Sequence, residues 1–265
     1  MKPIILILTL FSLLPSYAGI TILNGLTHIH NSSKGSSISG EIIIQNMNKE
    51  NQERVTIYME DVNHECNAEN PVLGEDELQR SLAKWISFNT TERVLEPNEK
   101  FILKYNLTVP ETFNSDIDEF GSFWSTVMVE GDTPIKENYQ DGLQISSKIR
   151  YGIQMVVNIG NMVDPEIDFV NIDLNKKNNT IHNLDISLEN QGVFLVKPTL
   201  ILELFNDMGD KVYKTKAEFK KVYPKGCKDF LMQIKDVPKG SYEGVLVADY
   251  GGDMFGINLT LDIEE

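Results

Sequence analysis

Residues 121–131 read GSFWSTVMVEG, and residues 240–250 read GSYEGVLVADY. Both stretches place Gly, Ser and an aromatic residue before an apolar run, which is typical of a β-strand that follows a tight turn. A large ring at the start of such a strand fills one end of a core between two sheets. A tyrosine such as Tyr242 can also hydrogen-bond back to the preceding corner of the chain. The recurrence of this stretch indicates an internal duplication.

Three further elements precede each of these stretches in the same order. In the first copy they are IIIQN (42–46), VTIYMED (55–61) and LEPNEKFILKYNLTVP (95–110). In the second copy they are DISLENQG (185–192), PTLILELFND (198–207) and VYPKGCKDFLMQIKDVP (222–238). A copy of roughly 100–130 residues with about seven short strands has the pattern of an immunoglobulin-like β-sandwich. We therefore predict an all-β protein with two tandem immunoglobulin-like β-sandwich domains.

The domain limits follow from the N-terminal residues and from the duplication. Lys2, the apolar run IILILTLFSLL (4–14) and the small residues before Gly19 are typical of a cleaved signal peptide. We predict a signal peptide at 1–18, a first sandwich at 19–158 with an insertion near 62–85, and a second sandwich at 159–265. Export implies a periplasmic or secreted protein, and no later apolar run is long enough to span a membrane.

Local patterns give three further expectations. Leu78, Leu82 and Trp85 within EDELQRSLAKW (75–85) have helical spacing, which favours a short helix, with a loop turn as the alternative. The turn cluster NDMGD (206–210) between two apolar runs predicts a hairpin. Alternation places Trp124 on the face opposite Phe123, where we expect core or inter-domain packing, with a ligand platform as the alternative.

Composition restricts the class of partner and the compartment. Lys and Arg total 24 and Asp and Glu total 39, for a net charge of −15. Such a charge repels nucleic acid, so we predict no nucleic-acid partner. The two cysteines, Cys66 and Cys227, cannot build a disulfide scaffold. A bridge between them is permitted in an oxidising compartment, but their positions in different predicted domains make an unpaired state the expectation.

The sequence contains no recognisable catalytic motif, and we predict a non-enzymatic protein without cofactors. His28 and His30 would place both rings on one strand face, which is half of a metal site. No third ligand lies nearby in sequence, because His64-Glu65-Cys66 is distant. We therefore predict no metal site.

The junction between the two copies, DGLQISSKIRYGIQMVVNIGN (141–161), alternates apolar and polar residues over a long run. This pattern predicts a long strand that closes the first sandwich and leads into the second. A long edge strand is a template to which a strand of another protein can be added.

Parts of the sequence resemble known exported proteins. GITILNGLTHIH (19–30) and GSSISGEIIIQNMNKENQERVTIYMED (35–61) resemble the opening of periplasmic pilus chaperones. The stretches 95–110 and 121–131 are similar to a wider set of exported bacterial immunoglobulin-like proteins, including the WxL-interacting type. The strand LQISSKIRYGIQ (143–154) resembles the long last strand of the chaperone's first domain, which donates alternate apolar residues to an incomplete pilin subunit.

This resemblance implies a set of partner-binding residues. By position, the donors would be Leu143, Ile145, Ile149, Tyr151 and Ile153. The chaperones anchor the subunit's terminal carboxylate with a basic pair. Lys148 or Arg150 could supply one member of that pair, whereas Gly19–His30 contains no Lys or Arg for the other.

These observations together favour a binding function. We expect an exported protein, chaperone-like in the assembly of surface adhesins or pili, whose partner is a surface protein or pilin-like subunit bound by β-strand addition. The alternative is a cell-envelope interaction or adhesion module that binds protein or glycan through the loops of its sandwiches.

Overall fold

The computed structural model describes residues 19–66, 72–73, 78–113, 119–132, 148–178 and 180–264. Within these residues, the first half of the chain forms β1 (Ile20–Ile22), β2 (Thr27–Ser32), β3 (Ser37–Asn46), β4 (Glu53–Val62), β5 (Val72–Leu73), β6 (Ile86–Phe88), β7 (Glu92–Leu95), β8 (Lys100–Thr108), β9 (Gly121–Asp132) and β10 (Lys148–Ile159). The second half forms β11 (Ile167–Asn178), β12 (Ile181–Asn190), β13 (Thr199–Phe205), β14 (Lys211–Ala217), β15 (Cys227–Lys235), β16 (Gly240–Asp249) and β17 (Met254–Ile263).

Strands β1–β10 build the first sandwich. One sheet has the order β1-β3-β8-β6, and the other has the order β2-β10-β9-β4, with β5 and β7 both paired to β4. Strand β8 shows why the sheets pack: Phe101, Leu103, Tyr105 and Leu107 alternate with exposed residues, so one face of the strand is apolar. These side chains meet the inward face of β9 in a single hydrophobic core.

Strands β11–β17 build the second sandwich. Its sheets have the orders β11-β12-β15 and β14-β13-β16-β17. Alternate residues of β12 and β13, including Leu184, Ile186 and Leu202, are fully or almost fully buried between the sheets. The prediction of an all-β chain with two tandem immunoglobulin-like sandwiches is therefore confirmed.

The duplication extends to equivalent buried asparagines at the ends of β3 and β12. Asn46 and Asn190 are both 0% exposed. The Asn46 Nδ2 donates to the carbonyls of Asn51, Leu95 and Glu96 at 3.0–3.2 Å. The Asn190 Nδ2 donates to the carbonyls of Phe194 and Val222 at 2.7 and 3.0 Å. In each sandwich one amide side chain thus ties a strand end to the loop beside it.

The two Pro-containing turns that the sequence aligns also share one backbone conformation. Asn98 follows Pro97 with φ of 60°, and Lys225 follows Pro224 with φ of 59°. In both turns the N–H two residues after the proline donates to the carbonyl just before it, at 3.0 Å. Proline followed by a residue with positive φ defines a type II turn. The repeat therefore preserves turn geometry as well as strand order.

The Gly-Ser-aromatic elements behave as predicted. Phe123 is 1% exposed in the first core, and the Tyr242 hydroxyl donates to the carbonyl of Pro238 at 2.9 Å. This contact is the hydrogen bond predicted for the corner before β16. Trp124 lies on the opposite face from Phe123, as the alternation requires.

Of the other two local predictions, the hairpin is confirmed, and for 75–85 the alternative of a loop turn holds over the described residues in place of the helix. The hairpin is present, since β13 pairs with β14 across Asn206–Asp210. The helix predicted over 75–85 is not formed by the described residues 78–85, which make turns and a 3-10 helix at Ala83–Trp85. The helical spacing was misleading because its apolar residues contact different clusters: Leu82 lies in the first core, whereas Leu78 packs at the domain junction.

The predicted signal peptide at 1–18 lies outside the described residues. In the described part of the chain, no helix has the length and apolar character needed to cross a membrane. The first sandwich ends at Ile159 and the second begins at Ile167. The limits predicted at 158 and 159 remain predictions.

Candidate partner-binding site

The junction strand β10 is paired on both sides along only half of its length. It pairs antiparallel with β9 from Lys148 to Ile159, whereas β2 pairs with it, in parallel, only from Gln154 to Ile159. The Gln154 N–H donates to the carbonyl of Leu26 at 3.0 Å, where this second pairing begins. Within the described residues, Lys148–Ile153 is therefore a free sheet edge.

The structure places the predicted donor residues in different environments. Leu143 and Ile145 lie outside the described residues. Ile149 is half-buried, and the half-buried Tyr151 donates its hydroxyl to the carbonyl of Ile20 at 3.0 Å. Ile153 is 0% exposed and belongs to the first core. Of the described candidates, Ile149 is the apolar residue with neither a core position nor a hydrogen-bonded role.

The basic candidates on this edge share one carboxylate. Lys148 Nζ and Arg150 Nε lie 2.6 and 2.5 Å from the two oxygens of Glu130 on the neighbouring strand β9. Hydrogen bonds from the two cations lower the pKa of Glu130, and the same contacts raise the pKa of Lys148 and of Arg150. Both cations are exposed, so salt screens this cluster and it contributes little to stability.

An apolar cluster separate from the two sandwich cores lies at the junction and joins the two sandwiches. Trp124 and Val156 of the first sandwich pack against Leu195 and Tyr223 of the second. The ring of His64 stacks on Tyr223 with centroids 3.9 Å apart and an angle of 6°. Burial, followed by the charges of Lys228 and Lys221, lowers the pKa of His64 to about 4, so this ring is neutral at pH 7. Trp124 thus packs between the domains, as predicted.

Backbone contacts fix the two sandwiches together beside this cluster. The Ser122 N–H donates to the carbonyl of Val193 at 2.8 Å, and the Leu195 N–H donates to the Ser122 hydroxyl at 2.7 Å. Gly121 has φ of 114°, and a Cβ there would lie 2.4 Å from the Val193 oxygen. Glycine is therefore required where β9 meets the second sandwich.

The expectation that the cysteines stay unpaired is wrong. Cys66 and Cys227 form a disulfide, with their Cα atoms 4.7 Å apart. The chain from β4 extends across the junction, and the Cys227 N–H donates to the carbonyl of His64 at 3.0 Å. The two cysteines are close in space although they belong to different predicted domains, because the segment after β4 extends to β15 of the second sandwich.

A lysine of the second sandwich faces the point where β2 and β10 meet. The Lys221 Nζ contacts the Thr27 hydroxyl and the Gln154 side-chain carbonyl, which are both neutral. Burial lowers the pKa of Lys221, and the charge of Lys197 adds to the effect. Among the described residues Lys221 has no ion pair. No local sequence signal indicated this placement, because it depends on how the sandwiches pack.

The His28 and His30 side chains both contact one tyrosine hydroxyl in the first sandwich. The His28 Nδ1 and the His30 Nε2 lie 3.3 and 3.0 Å from the Tyr105 hydroxyl. Burial lowers the pKa of both histidines, and for His30 the proximity of His28 adds to it. Across the described ranges, no three His, Cys, Asp or Glu residues are placed to hold a metal ion together.

The chain was also compared with known proteins. No family model and no curated protein matches its sequence. The solved structure of the YadV chaperone is 12% identical, with a TM-score of 0.46, over 92% of this chain and 100% of that one. The class 5 fimbriae chaperone CfaA is 12% identical, with a TM-score of 0.45, over 93% and 100%.

A third solved structure also matches this chain. The Pseudomonas aeruginosa CupB2 chaperone is 12% identical, with a TM-score of 0.41, over 90% of this chain and 99% of that one. At this level of identity the comparison assigns no function to any residue. The tandem sandwiches and the half-paired β10 of the described residues by themselves define a two-domain all-β protein with a free strand edge at its junction.

Proposed function

We propose that this chain is an exported, non-enzymatic binding protein, chaperone-like in the assembly of surface adhesins or pili. In this proposal it binds an extended segment of a surface protein along the free edge Lys148–Ile153. The observation that carries the proposal is the half-paired state of β10, because its free half exposes backbone donors and acceptors to an added strand.

The surroundings of this edge suit an extended apolar segment. Leu26, at the point where β2 leaves β10, is 46% exposed, and Ile149 is half-buried on the free half. Ile153 is buried in the first core, so its side chain takes no part in the proposed contact and only its backbone does. Within the described residues the free edge is short, which limits uncontrolled strand pairing while leaving room for one partner strand.

Lys221 can contribute an anchor at the end of this edge. Its ammonium group lies beside Thr27 and Gln154 and contacts only neutral oxygens there. A carboxylate of the bound partner would give this half-buried cation an ionic hydrogen bond, which is stronger than a neutral one. The lysine would thus supply, from the second sandwich, the cation that Gly19–His30 lacks.

The proposal is tested by co-expressing a pilin-like surface subunit with this chain and measuring its capture. We expect Ile149→Asp to abolish capture, because a charge on the free edge opposes an added apolar strand. Ile201→Asp is the matched control, since Ile201 is also half-buried but lies on β13, which pairs with β14 and with β16 at that residue. Capture that survives Ile149→Asp and Lys221→Gln would refute strand addition at β10.

The same experiment separates the loop-binding alternative. Met208, at the tip of the β13–β14 hairpin, is 79% exposed. Strand addition predicts unchanged capture by Met208→Ser, whereas binding through this loop predicts its loss. Circular dichroism of each purified variant verifies that the fold is retained.

A further inference from the structure

The second sandwich is closed along one side and open along the other. On the closed side, the Tyr213 hydroxyl of β14 donates to the carbonyl of Gln233 on β15 at 3.2 Å and accepts from the Lys235 N–H at 3.1 Å. On the opposite side, β11 is the last strand of one sheet and β17 is the last strand of the other. In the described part of the chain neither of these edges has a further pairing partner.

A groove of about 550 Å³ runs between these two edge strands. Ile172 and Leu174 of β11 and Leu259 of β17 line it with half-buried apolar side chains. They are spaced at alternate positions, so they face inward while their neighbours face solvent. The groove therefore combines an apolar floor with two free strand edges.

A buried polar group also lines this groove. His182 of β12 is 5% exposed, and its Nε2 has no hydrogen-bond partner among the described residues. A buried polar atom without a hydrogen-bond partner lowers the stability of the fold. A ligand that places a hydrogen-bonding group beside Nε2 would remove this cost, which an apolar ligand alone would not do.

The first sandwich shows what fills the corresponding side. There the six-residue strand β2 lies parallel to β10 at the end of the sheet and turns His28 and His30 inward toward Tyr105. The second sandwich has no such strand among its described residues. The open side thus has the form of a strand-binding slot.

We propose that the groove between β11 and β17 binds an extended segment of another protein. That segment has apolar side chains at every second position and basic residues near its ends. The apolar side chains would cover Ile172, Leu174 and Leu259, while the backbone would pair with a free edge. One of the two basic ends would lie near Asp262 and Glu264, whichever direction the added strand takes, and these two acids outnumber Lys176 among the charged residues of the groove.

A second copy of this chain is a poorer occupant. The free half of β10 already pairs Lys148 and Arg150 with Glu130, and Ile153 is buried in its own core. The net charge of −15 also makes two copies repel each other, whereas it attracts a basic segment.

The test uses a fluorescein-labelled nine-residue peptide with lysine at both ends, valine or isoleucine at alternate positions and threonine between them. We expect saturable binding by fluorescence anisotropy to the chain cleaved after residue 18. A peptide with serine at the apolar positions should not bind. Hydrogen exchange with the peptide bound should show new protection in 167–178 and 254–263.

Three arginine substitutions on β17 locate the contact. Leu259→Arg and Thr260→Arg lie in the groove and should weaken binding by about tenfold or more. The exposed Thr260 keeps the test valid if Leu259→Arg does not fold. Asn258→Arg is the matched control on the same strand, exposed and outside the groove, and should change the affinity by less than about twofold.

Several results would overturn the inference. The first is that the peptide binds all three variants with equal affinity. The second is that bound peptide protects β10 from hydrogen exchange in place of β11 and β17. The third is that the peptide shows no saturable binding. Concentration-dependent protection of the groove without peptide would show that a second copy occupies it, which also overturns it. Ile149→Asp should leave peptide binding intact, so the groove and the proposed function can fail separately.

Discussion

In the first sandwich, the N-terminal strand is divided between the two sheets, whereas in the second sandwich the corresponding strand stays in one sheet. Strand β1 pairs with β3, and β2 then crosses to pair with β10. Strand β11 pairs with β12 along its length, with two register shifts, and does not reach β17. The comparison shows that one crossing strand decides whether the side of a sandwich is closed or open.

The crossing has a local cause. Gly25 has φ of 89°, which turns the chain between β1 and β2. Beside it, the Asn24 side chain accepts from the Ile43 N–H at 2.9 Å and donates to the Glu41 carbonyl at 2.7 Å, both on β3. The side chain replaces strand pairing as the backbone leaves the sheet. The segment Ile167–Asn178 has no glycine and remains one continuous strand.

The largest expected effect on stability concerns the buried asparagine that each sandwich has at an equivalent strand end. We expect Asn46→Ala and Asn190→Ala each to lower the free energy of unfolding by about 2–3 kcal/mol, because each removes at least two buried hydrogen bonds to backbone carbonyls. Urea denaturation of each variant measures the loss. Asn258→Ala, at an exposed position, should change stability by about 0.5 kcal/mol or less. If only one of the two variants lost stability, the two equivalent asparagines would not make equivalent contributions to the free energy of unfolding.

Local features of this duplication could be predicted from the sequence, and long-range placements could not. The Tyr242 corner and the β13–β14 hairpin depend on residues close together in the chain, so their patterns were sufficient. The bridge between Cys66 and Cys227 depends on a separation of 161 residues and on how two domains meet. No periodicity carries that information.

The candidate sites likewise combine local features that the sequence predicts with long-range placements that it does not. Alternation predicted the strand character of β10, but the burial of Ile153 and the partial pairing with β2 depend on where the first strand crosses. The placement of Lys221 beside Thr27 and the groove beside His182 are products of packing between distant elements. Both were missed because each element taken alone reads as an ordinary strand or turn.

The next largest effect is the release of β2 from β10 at low pH, which would open this side of the first sandwich as in the second. Burial lowers the pKa of His28 and of His30 below the ordinary value of 6.5, so both are neutral when folded at pH 7. As pH falls below 6.5, the unfolded state binds protons first, and the folded state loses stability until pH is below the lowered pKa values. We expect β2 to separate from β10 over this window.

Hydrogen exchange from pH 7 to 5, corrected for the intrinsic rate, measures this separation. Protection should fall in 27–32 and 154–159. In the double variant His28→Gln, His30→Gln the pH dependence should be lost. Protection of β2 that is constant over the whole range would contradict the expected release.

The smallest effect compares one hydroxyl in each sandwich. Tyr105→Phe removes the contacts with His28 and His30, and Tyr242→Phe removes the bond to Pro238, so each should cost about 1 kcal/mol by urea denaturation. Only Tyr105→Phe should also lower the protection of β2 from hydrogen exchange, because only the Tyr105 hydroxyl contacts side chains of a strand that crosses between sheets. Equal protection of β2 in the two variants would mean that strand pairing with β10, without the histidine contacts, keeps the first sandwich closed.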